Sequence, residues 1–415
     1  MKRKYLLIPS LPLLLSAIVF FSACEKDNVP SLFDPDQPLG DTPMITSIEP
    51  AGQALAGVGE VSINGLNFSS IGSQNFVFFN AEQAEVLSAS STQLVVRPPN
   101  LVDANISIKI AVQYVEQFSN VISYELLPAV IDYAVLEGPG EDSTEVFGLA
   151  VDRDENVYVS VLGSIPNIGL SGNKIKIVTL DGKASSYAAT SFLRANAMRV
   201  GPGGDVYTLS AAGRVRKLSR FDGAGVETTV ASFGATPYDF DFDASGNIWA
   251  AVKDDIYLVK PDNSRTLIDS YDVDLFALRV YENHVYVTGG NAETAEHKIW
   301  RSQINGDVLA PREVFFDPTA AAWLEGHSVF TIEFAADGDA LLGTSHPSGV
   351  FVYHSDGSHE PLYPGLLTGD VTKIVWGNDS IVYAVQKAQD GATLRKSRLL
   401  RIDLVKQGAP YFGRQ

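Results

Sequence analysis

One phrase recurs six times between residues 147 and 383 and limits the possible folds more than any other feature of the chain. An apolar stretch leads into a turn of Asp, Gly and Asn residues, and a second apolar stretch follows, with an aromatic residue or leucine near its start. Equivalent residues of the copies stand at positions 158, 207, 249, 286, 341 and 383, which are 37 to 55 residues apart. Such a period is typical of repeated units that share a core with their neighbours.

A further apolar strand follows each copy, at 174–178, 214–218, 255–259, 298–301, 349–353 and 399–403. Asp-Gly or Asn-Gly pairs, which favour tight hairpins, follow four of these strands. Six copies of a four-stranded unit predict a six-bladed β-propeller over residues 128–415. The apolar segment 130–135 is expected to pair with the last blade near Tyr411 and Phe412 and to close the ring; a linker strand between domains is the alternative.

The repeated phrase resembles the NHL-repeat group and its gluconolactonase/regucalcin-like and streptogramin-lyase-like relatives, over essentially all of residues 145–415. In such propellers the first strand of each blade lines a central channel, and ligands usually bind at the end where these strands begin. The resemblance therefore implies the fold, whereas the activity stays open because this architecture hosts many unrelated functions.

Residues 43–127 show a different pattern of strands, which predicts a separate domain. About seven short apolar strands fit into this segment, which has the size of an immunoglobulin-like sandwich. The run 45–50, the turn 65–68 and the pair Pro98-Pro99 resemble the IPT/TIG family. The resemblance implies a β-sandwich without catalysis that serves as a spacer. The predicted fold class is all-β, an immunoglobulin-like sandwich followed by a six-bladed propeller.

The N-terminus has the features of a lipoprotein signal. A basic start at residues 2–4 precedes an apolar stretch that ends in Phe21-Ser22-Ala23-Cys24. This ending resembles the bacterial lipobox, in which the cysteine is acylated and becomes the mature N-terminus. A signal peptide over 1–24 with lipidation at Cys24 is the prediction; a plain signal peptide and an N-terminal membrane helix are the alternatives.

Residues 25–28 resemble the short tag of lysine and acidic residues that marks surface-exported lipoproteins of Bacteroidota. Residues 25–42 are rich in Pro, Asp and Gly, which is typical of a flexible tether. The expected location is the outer membrane, with the protein held by its lipid anchor and exposed on the cell surface.

Charge and cysteine content exclude several classes of partner and site. The formal net charge of −18 argues against nucleic acid and against electrostatic docking on anionic lipid. Cys24 is the single cysteine, so its acylation excludes disulfides and cysteine-zinc sites.

Carbohydrate binding needs exposed aromatic faces beside planar polar side chains. Trp323 lies in the loop 320–327, which need not bury it, and is the predicted stacking residue. The predicted topology places His327, His346 and Tyr238 nearby as further ligand-binding candidates. A cap over the channel is the alternative for Trp323, and surface or packing roles are the alternatives for the histidines.

A gluconolactonase-like enzyme would need a divalent cation such as Ca²⁺, held by carboxylate and amide oxygens. The candidate ligands at the predicted strand starts are Glu145, Asn196, Asp239 and Asp370. Polar residues of a solvated channel mouth are the alternative explanation, and a binding module would need no cofactor.

Two functions are therefore expected. The first is a surface lipoprotein whose IPT/TIG spacer presents a propeller that binds a glycan or a protein, as part of a nutrient-uptake system; this domain order resembles IPT/TIG–NHL lipoproteins of Bacteroidota. The second is a cation-dependent lactonase or lyase. The sequence has no Gly-rich phosphate loop, Ser-His-Asp phrase or His-Glu-x-x-His phrase, which favours the binding module over an enzyme.

Overall fold

The computed structural model describes residues 40–411, except 142, 212–213, 292, 295 and 388–395. The predicted lipidation site Cys24, nearly all of the predicted tether and Phe412 lie outside the described residues. Within the described part of the chain, no helix combines the length and the hydropathy needed to cross a bilayer.

The first domain contains nine strands in two sheets. They are β1 (Met44–Glu49), β2 (Gln53–Leu55), β3 (Val61–Leu66), β4 (Asn75–Phe79), β5 (Glu82–Gln83), β6 (Glu85–Ala89), β7 (Gln93–Arg97), β8 (Asp103–Val112) and β9 (Ile122–Leu127). The sheets have the orders β1-β3-β7-β6 and β2-β9-β8-β4-β5. Alternate residues of both sheets, among them Ile63, Val77 and Leu94, are fully buried between them. The predicted sandwich is confirmed.

The turn 65–68 fixes one edge of this sandwich. Phe68 is buried in the core, and its ring lies against Gly65. A Cβ atom on Gly65 would stand 2.1 Å from the backbone oxygen of Met44 and 2.3 Å from the Phe68 ring. Only glycine fits at this position, because neither the backbone nor the enclosed ring has room to move.

The rest of the described chain, from residue 128 onward, forms six sheets, which we number as blades 1 to 6 in the order of their first strands. One strand, β10 (Val130–Ala134), precedes blade 1 in the chain. Blade 1 contains β11 (Ser143–Val151), β12 (Val157–Ile165), β13 (Gly169–Ser171), β14 (Lys174–Val178) and β15 (Ala184–Ala189). Blade 2 contains β16 (Ala195–Val200), β17 (Val206–Ser210), β18 (Lys217–Phe221) and β19 (Glu227–Ser232). Blade 3 contains β20 (Pro237–Phe242), β21 (Ile248–Val252), β22 (Asp255–Val259) and β23 (Arg265–Ser270).

The last three blades follow the same plan. Blade 4 contains β24 (Asp274–Tyr281), β25 (His284–Asn291), β26 (Glu296–Asn305), β27 (Val308–Leu309) and β28 (Glu313–Phe316). Blade 5 contains β29 (Val329–Phe334), β30 (Ala340–Thr344), β31 (Val350–Tyr353) and β32 (His359–Pro361). Blade 6 contains β33 (Asp370–Trp376), β34 (Ile381–Lys387) and β35 (Ser397–Asp403), with β10 as its fourth strand. Short 3₁₀ turns occur at Gly72–Gln74, Pro202–Gly204 and Ala322–Leu324.

The six blades form a closed ring. Each inner strand contacts the inner strand of the next blade, and β33 contacts β11, so the predicted six-bladed propeller is confirmed. The strand β10 pairs antiparallel with β35, Val130 opposite Ile402, and so joins the start of the domain to its last blade. The expected position of this pairing was wrong, because Tyr411 lies under the channel instead. The third strand of blade 2 also begins at Lys217 rather than at residue 214, since its buried anchors are Leu218 and Phe221.

The repeated phrase encodes the turn between the first two strands of a blade. In blade 1, Asp152 accepts hydrogen bonds from the amide groups of Asn156 and, at 3.0 Å, from the hydroxyl of Tyr158. In blade 3, Asp243 accepts the equivalent bonds from Asn247 and, at 3.0 Å, from the indole nitrogen of Trp249. The aspartate therefore closes the turn and anchors the aromatic residue of the second strand.

Candidate functional site at the channel mouth

The first strand of every blade has the same irregularity in its pairing with the second strand. Each inner strand has a β-bulge near its beginning, where one residue has no partner on the second strand. The bulge residues are Phe147, Asn196, Tyr238, Phe276, Phe330 and Thr372. Each is partly exposed, and all except Thr372 stand between two buried neighbours. Six equivalent side chains therefore surround one end of the channel, which we call the open face.

The other end of the channel is covered by the C-terminal segment. Gly408 bridges to Ala335, and the amide of Ala409 donates to the carbonyl of Phe334 on blade 5. The hydroxyl of Tyr411 donates to the carbonyl of Val200 on blade 2, at 2.8 Å. The segment thus crosses the channel and leaves a cavity of about 20 Å³, which is too small for an organic ligand. Among the described residues, this segment covers the end of the channel opposite the bulge residues.

A buried ionic network fills the channel above this segment. Arg199 contacts Asp239 at 3.1 Å and Asp241 at 3.8 Å, and Arg279 contacts Asp241 at 3.0 Å and also Glu333. Burial raises the pKa of the carboxyl groups of Asp241 and Glu333. Burial alone would lower the pKa of Arg279, but the two carboxylates raise it above its ordinary value. The network joins blades 2 to 5 and forms the floor of the site.

The rim at blades 6, 1 and 2 carries cations. The guanidinium carbon of Arg194 lies 3.8 Å from the centroid of the Phe147 ring, and the Lys387 amine lies 4.6 Å from it. Lys387 also pairs with Glu145 at 2.6 Å. Burial lowers the pKa of Arg194, while Glu145 raises it. Lys373 follows the bulge of β33 directly, is partly exposed, and lies within electrostatic range of Lys387 and of Asp239 and Arg199 in the network.

A groove leads outward from the mouth between blades 4 and 5. It has a volume of about 410 Å³, and Phe276, Asn291, His297 and His327 are among its lining residues. Phe276 is 37% exposed, and the ring of His297 meets it edge-on, with 5.8 Å between centroids. Burial lowers the pKa of His297, so the ring is neutral near pH 7, and its buried Nε2 atom has no hydrogen-bond partner among the described residues.

The four predicted ligand-binding residues are only partly brought together. The rings of His327 and His346 lie 5.1 Å apart, and the Nδ1 atom of His346 accepts a hydrogen bond from the amide of Ser348. Trp323 is half-buried, and its ring stacks on His359 at 4.3 Å in the outer part of blade 5. Tyr238 stands apart from them at the bulge of blade 3, where burial raises its pKa.

Further contacts of Trp323 are with Phe351, at 4.6 Å between ring centroids, and with Phe316, at 5.7 Å. Its ring therefore packs among three others. Among the predicted residues, only His327 lines the groove described above.

The four predicted metal ligands lie at three different levels of the channel. Glu145 and Asp370 precede the bulges of their strands by two residues, Asn196 is itself a bulge residue, and Asp239 follows one. Glu145 pairs with Lys387, and both oxygens of Asp239 face Arg199. Across the described ranges, no three His, Cys, Asp or Glu side chains are grouped so that they would hold a metal ion. The cation site stays a prediction.

Sequence reasoning named two of the bulge residues, Asn196 and Tyr238, but missed the other four and the cations beside them. A signal was present, because three of the six repeats begin with an aromatic residue, Phe147, Tyr238 or Phe276, although an inner strand position in a core would be aliphatic. Lys373 was unusual in the same way, because it is a lysine within the mostly apolar run 371–376.

Fold and site together define a two-domain all-β protein, in which a β-sandwich precedes a six-bladed propeller with one open channel end. Residues 43–125 match the model of the IPT/TIG domain, and this segment is an IPT/TIG domain. No curated protein matches the sequence.

Several solved structures resemble the chain at low identity. An auxiliary nutrient binding protein from Bacteroides thetaiotaomicron is 12% identical, with a TM-score of 0.48 over 89% of this chain and 98% of that one. Another from Bacteroides ovatus is 11% identical, with a TM-score of 0.47 over 88% and 99%. A gluconolactonase from Xanthomonas campestris is 15% identical, with a TM-score of 0.46 over 64% and 87%. Likeness at this level carries no argument about ligand or activity.

Proposed function

We propose that this protein is a carbohydrate-binding module of the cell surface, which recognises a glycan at the open face of its propeller. The groove at Phe276 carries this proposal. An exposed aromatic ring there stands beside side chains with amide and imidazole groups, the combination that sugar rings require for stacking and hydrogen bonding.

The polar groups of the groove suit a sugar hydroxyl. The Nε2 atom of His297 lacks a partner among the described residues, and the neutral ring can accept a hydrogen bond from a sugar hydroxyl or donate one to it. Asn291 and His327 add planar polar groups around the same volume. A hydroxyl-rich ligand would satisfy a buried polar atom that otherwise costs free energy.

The remaining parts of the proposal concern location. Acylation of Cys24 would anchor the chain in the outer membrane, the tether and the IPT/TIG domain would hold the propeller away from the lipid, and the open face would meet glycans outside the cell. Capture of a glycan at this position supports a role in nutrient uptake.

The test is calorimetric titration of the chain from residue 25 with a panel of neutral and acidic oligosaccharides. We expect Phe276→Ala to weaken binding of the recognised glycan at least tenfold, since a stacking ring contributes about 1 kcal/mol or more beyond its buried area. Phe118→Ala is the matched control, because Phe118 is a 50% exposed ring on the first domain. The proposal fails if no glycan binds, or if the two variants bind equally well.

A further inference from the structure

The channel mouth has two chemically different halves. Aromatic residues occupy the bulges of blades 3, 4 and 5, namely Tyr238, Phe276 and Phe330. On the opposite side, blades 6, 1 and 2 contribute the cations Lys373, Lys387 and Arg194, and the ring of Phe147 there is covered by two of these cations. A ligand in the mouth therefore meets rings on one side and positive charge on the other.

Lys373 has no direct counter-ion. Within the described ranges its amine makes no hydrogen bond and no ion pair, although Asp239, Arg199 and Lys387 act on it electrostatically. Asp239 already has other partners, because it pairs with Arg199 and accepts a hydrogen bond from the backbone amide of Leu278 at 3.0 Å. Burial lowers the pKa of Lys373, as do Arg199 and Lys387, and Asp239 opposes them.

Arg194 is in a similar position. Its guanidinium stacks on Phe147, but among the described residues it has no ion pair, since the nearby Glu145 is paired with Lys387. Two cations without direct partners among the described residues thus lie in and beside the channel, Arg194 on the Phe147 ring and Lys373 near Lys387, in a chain whose formal net charge is −18. Such groups are costly to hold out of water unless an anion binds to them.

We propose that the cationic half of the mouth binds the carboxylate of an acidic saccharide, whose ring lies against the aromatic half. This inference rests on the proposed glycan binding and names the class of glycan. Lysine and arginine form strong, charge-assisted hydrogen bonds with carboxylates, and a desolvated site strengthens them. The local cations also offset the repulsion that an acidic protein exerts on an anionic ligand.

The experiment compares uronate oligosaccharides with their methyl esters, which keep the sugar ring and lose the charge. Oligogalacturonates, alginate oligomers and glucuronoxylan oligomers are titrated into the chain from residue 25 and into two variants. Lys373→Met removes the charge at nearly constant length. Lys183→Met is the matched control, because Lys183 is an exposed lysine on the outer hairpin of blade 1, where it pairs with Asp181.

We expect at least one acid to bind tenfold more tightly than its ester, and Lys373→Met to abolish this difference while Lys183→Met keeps it. Phe276→Ala should weaken acid and ester alike. The inference is overturned if esters or neutral glycans bind as tightly as the acids, a result that leaves glycan binding intact. Failure of every glycan to bind overturns the proposed function as well. If Lys373→Met unfolds, Lys373→Arg replaces it and should retain the preference for the acid.

Discussion

Arg279→Met tests whether the ionic network is a structural floor of the channel. Arg279 is buried and links Asp241 to Glu333, so its removal leaves Glu333 without an ion-pair partner among the described residues and Asp241 with only Arg199, at 3.8 Å. Loss of one member of a buried ion pair costs about 3–5 kcal/mol of unfolding free energy. With an unfolding entropy of about 2.1 cal/mol/K per residue over the propeller, the melting temperature should fall by roughly 5–9 °C.

The loss of unfolding free energy in Arg279→Met should depend on pH. Burial already raises the pKa of the carboxyl groups of Asp241 and Glu333 above the values of the unfolded chain. Protonation of these two carboxyl groups removes the buried charge. Their contribution to the unfolding free energy is therefore fully present at acid pH and is lost as the pH rises through the folded-state pKa. Without Arg279 these pKa values rise further, and the deficit of the variant should be larger at pH 8 than at pH 5.

Urea unfolding followed by tryptophan fluorescence measures the effect. The double variant Arg279→Met/Glu333→Gln removes the unpaired charge as well and should recover at least about 1 kcal/mol relative to the single variant. Arg220→Met is the matched control, because Arg220 forms a partly exposed pair with Asp205 at 3.4 Å, and such pairs near the surface contribute about 1 kcal/mol or less. A deficit under about 1 kcal/mol for Arg279→Met, or a double variant that is less stable than the single one, would refute the reasoning.

Two further predictions concern the first domain and the anchor. Gly65→Ala should destabilise the IPT/TIG domain by roughly 1–3 kcal/mol, because the new Cβ atom would clash with the Met44 backbone oxygen and the Phe68 ring. Denaturant unfolding of the isolated domain measures this loss. Gly52→Ala is the control and should cost less, because Gly52 lies at an open turn with positive φ and no atom near its Cβ position. Cys24→Ser should abolish incorporation of labelled fatty acid and release the protein from the membrane fraction; persistence of the label would disprove the lipoprotein assignment.

The fold follows from local patterns in the chain. Apart from β10 in blade 6, each blade is a run of consecutive strands joined by turns. The side chains of the turn aspartates Asp152 and Asp243 accept hydrogen bonds from residues two to six positions later. The turn 65–68 is similarly local and identifies the first domain. Because these interactions lie within one repeat or one hairpin, strand alternation and turn residues predict them.

The site depends on contacts between blades, which no local pattern predicts. Arg199 meets Asp239, and Arg279 meets Glu333, across 40 and 54 residues of chain. Trp323 was predicted as an exposed stacking residue because its loop is long, but its ring packs on His359 of the outer strand of blade 5. The bulges that place Phe276 and its equivalents at the mouth arise from strand register, which the sequence pattern leaves unspecified by one residue.

The sequence by itself therefore determined the number of blades, the nature and order of the two domains, and the turns within them, since each depends on residues that are neighbours in the chain. Only the tertiary structure decided which end of the channel is open, where Tyr411 closes the other end, and that Lys373 lies near Lys387 and the buried network without a direct partner among the described residues. Ring closure sets these features, because it brings the first strands of distant repeats around one axis and fixes which side chains meet there.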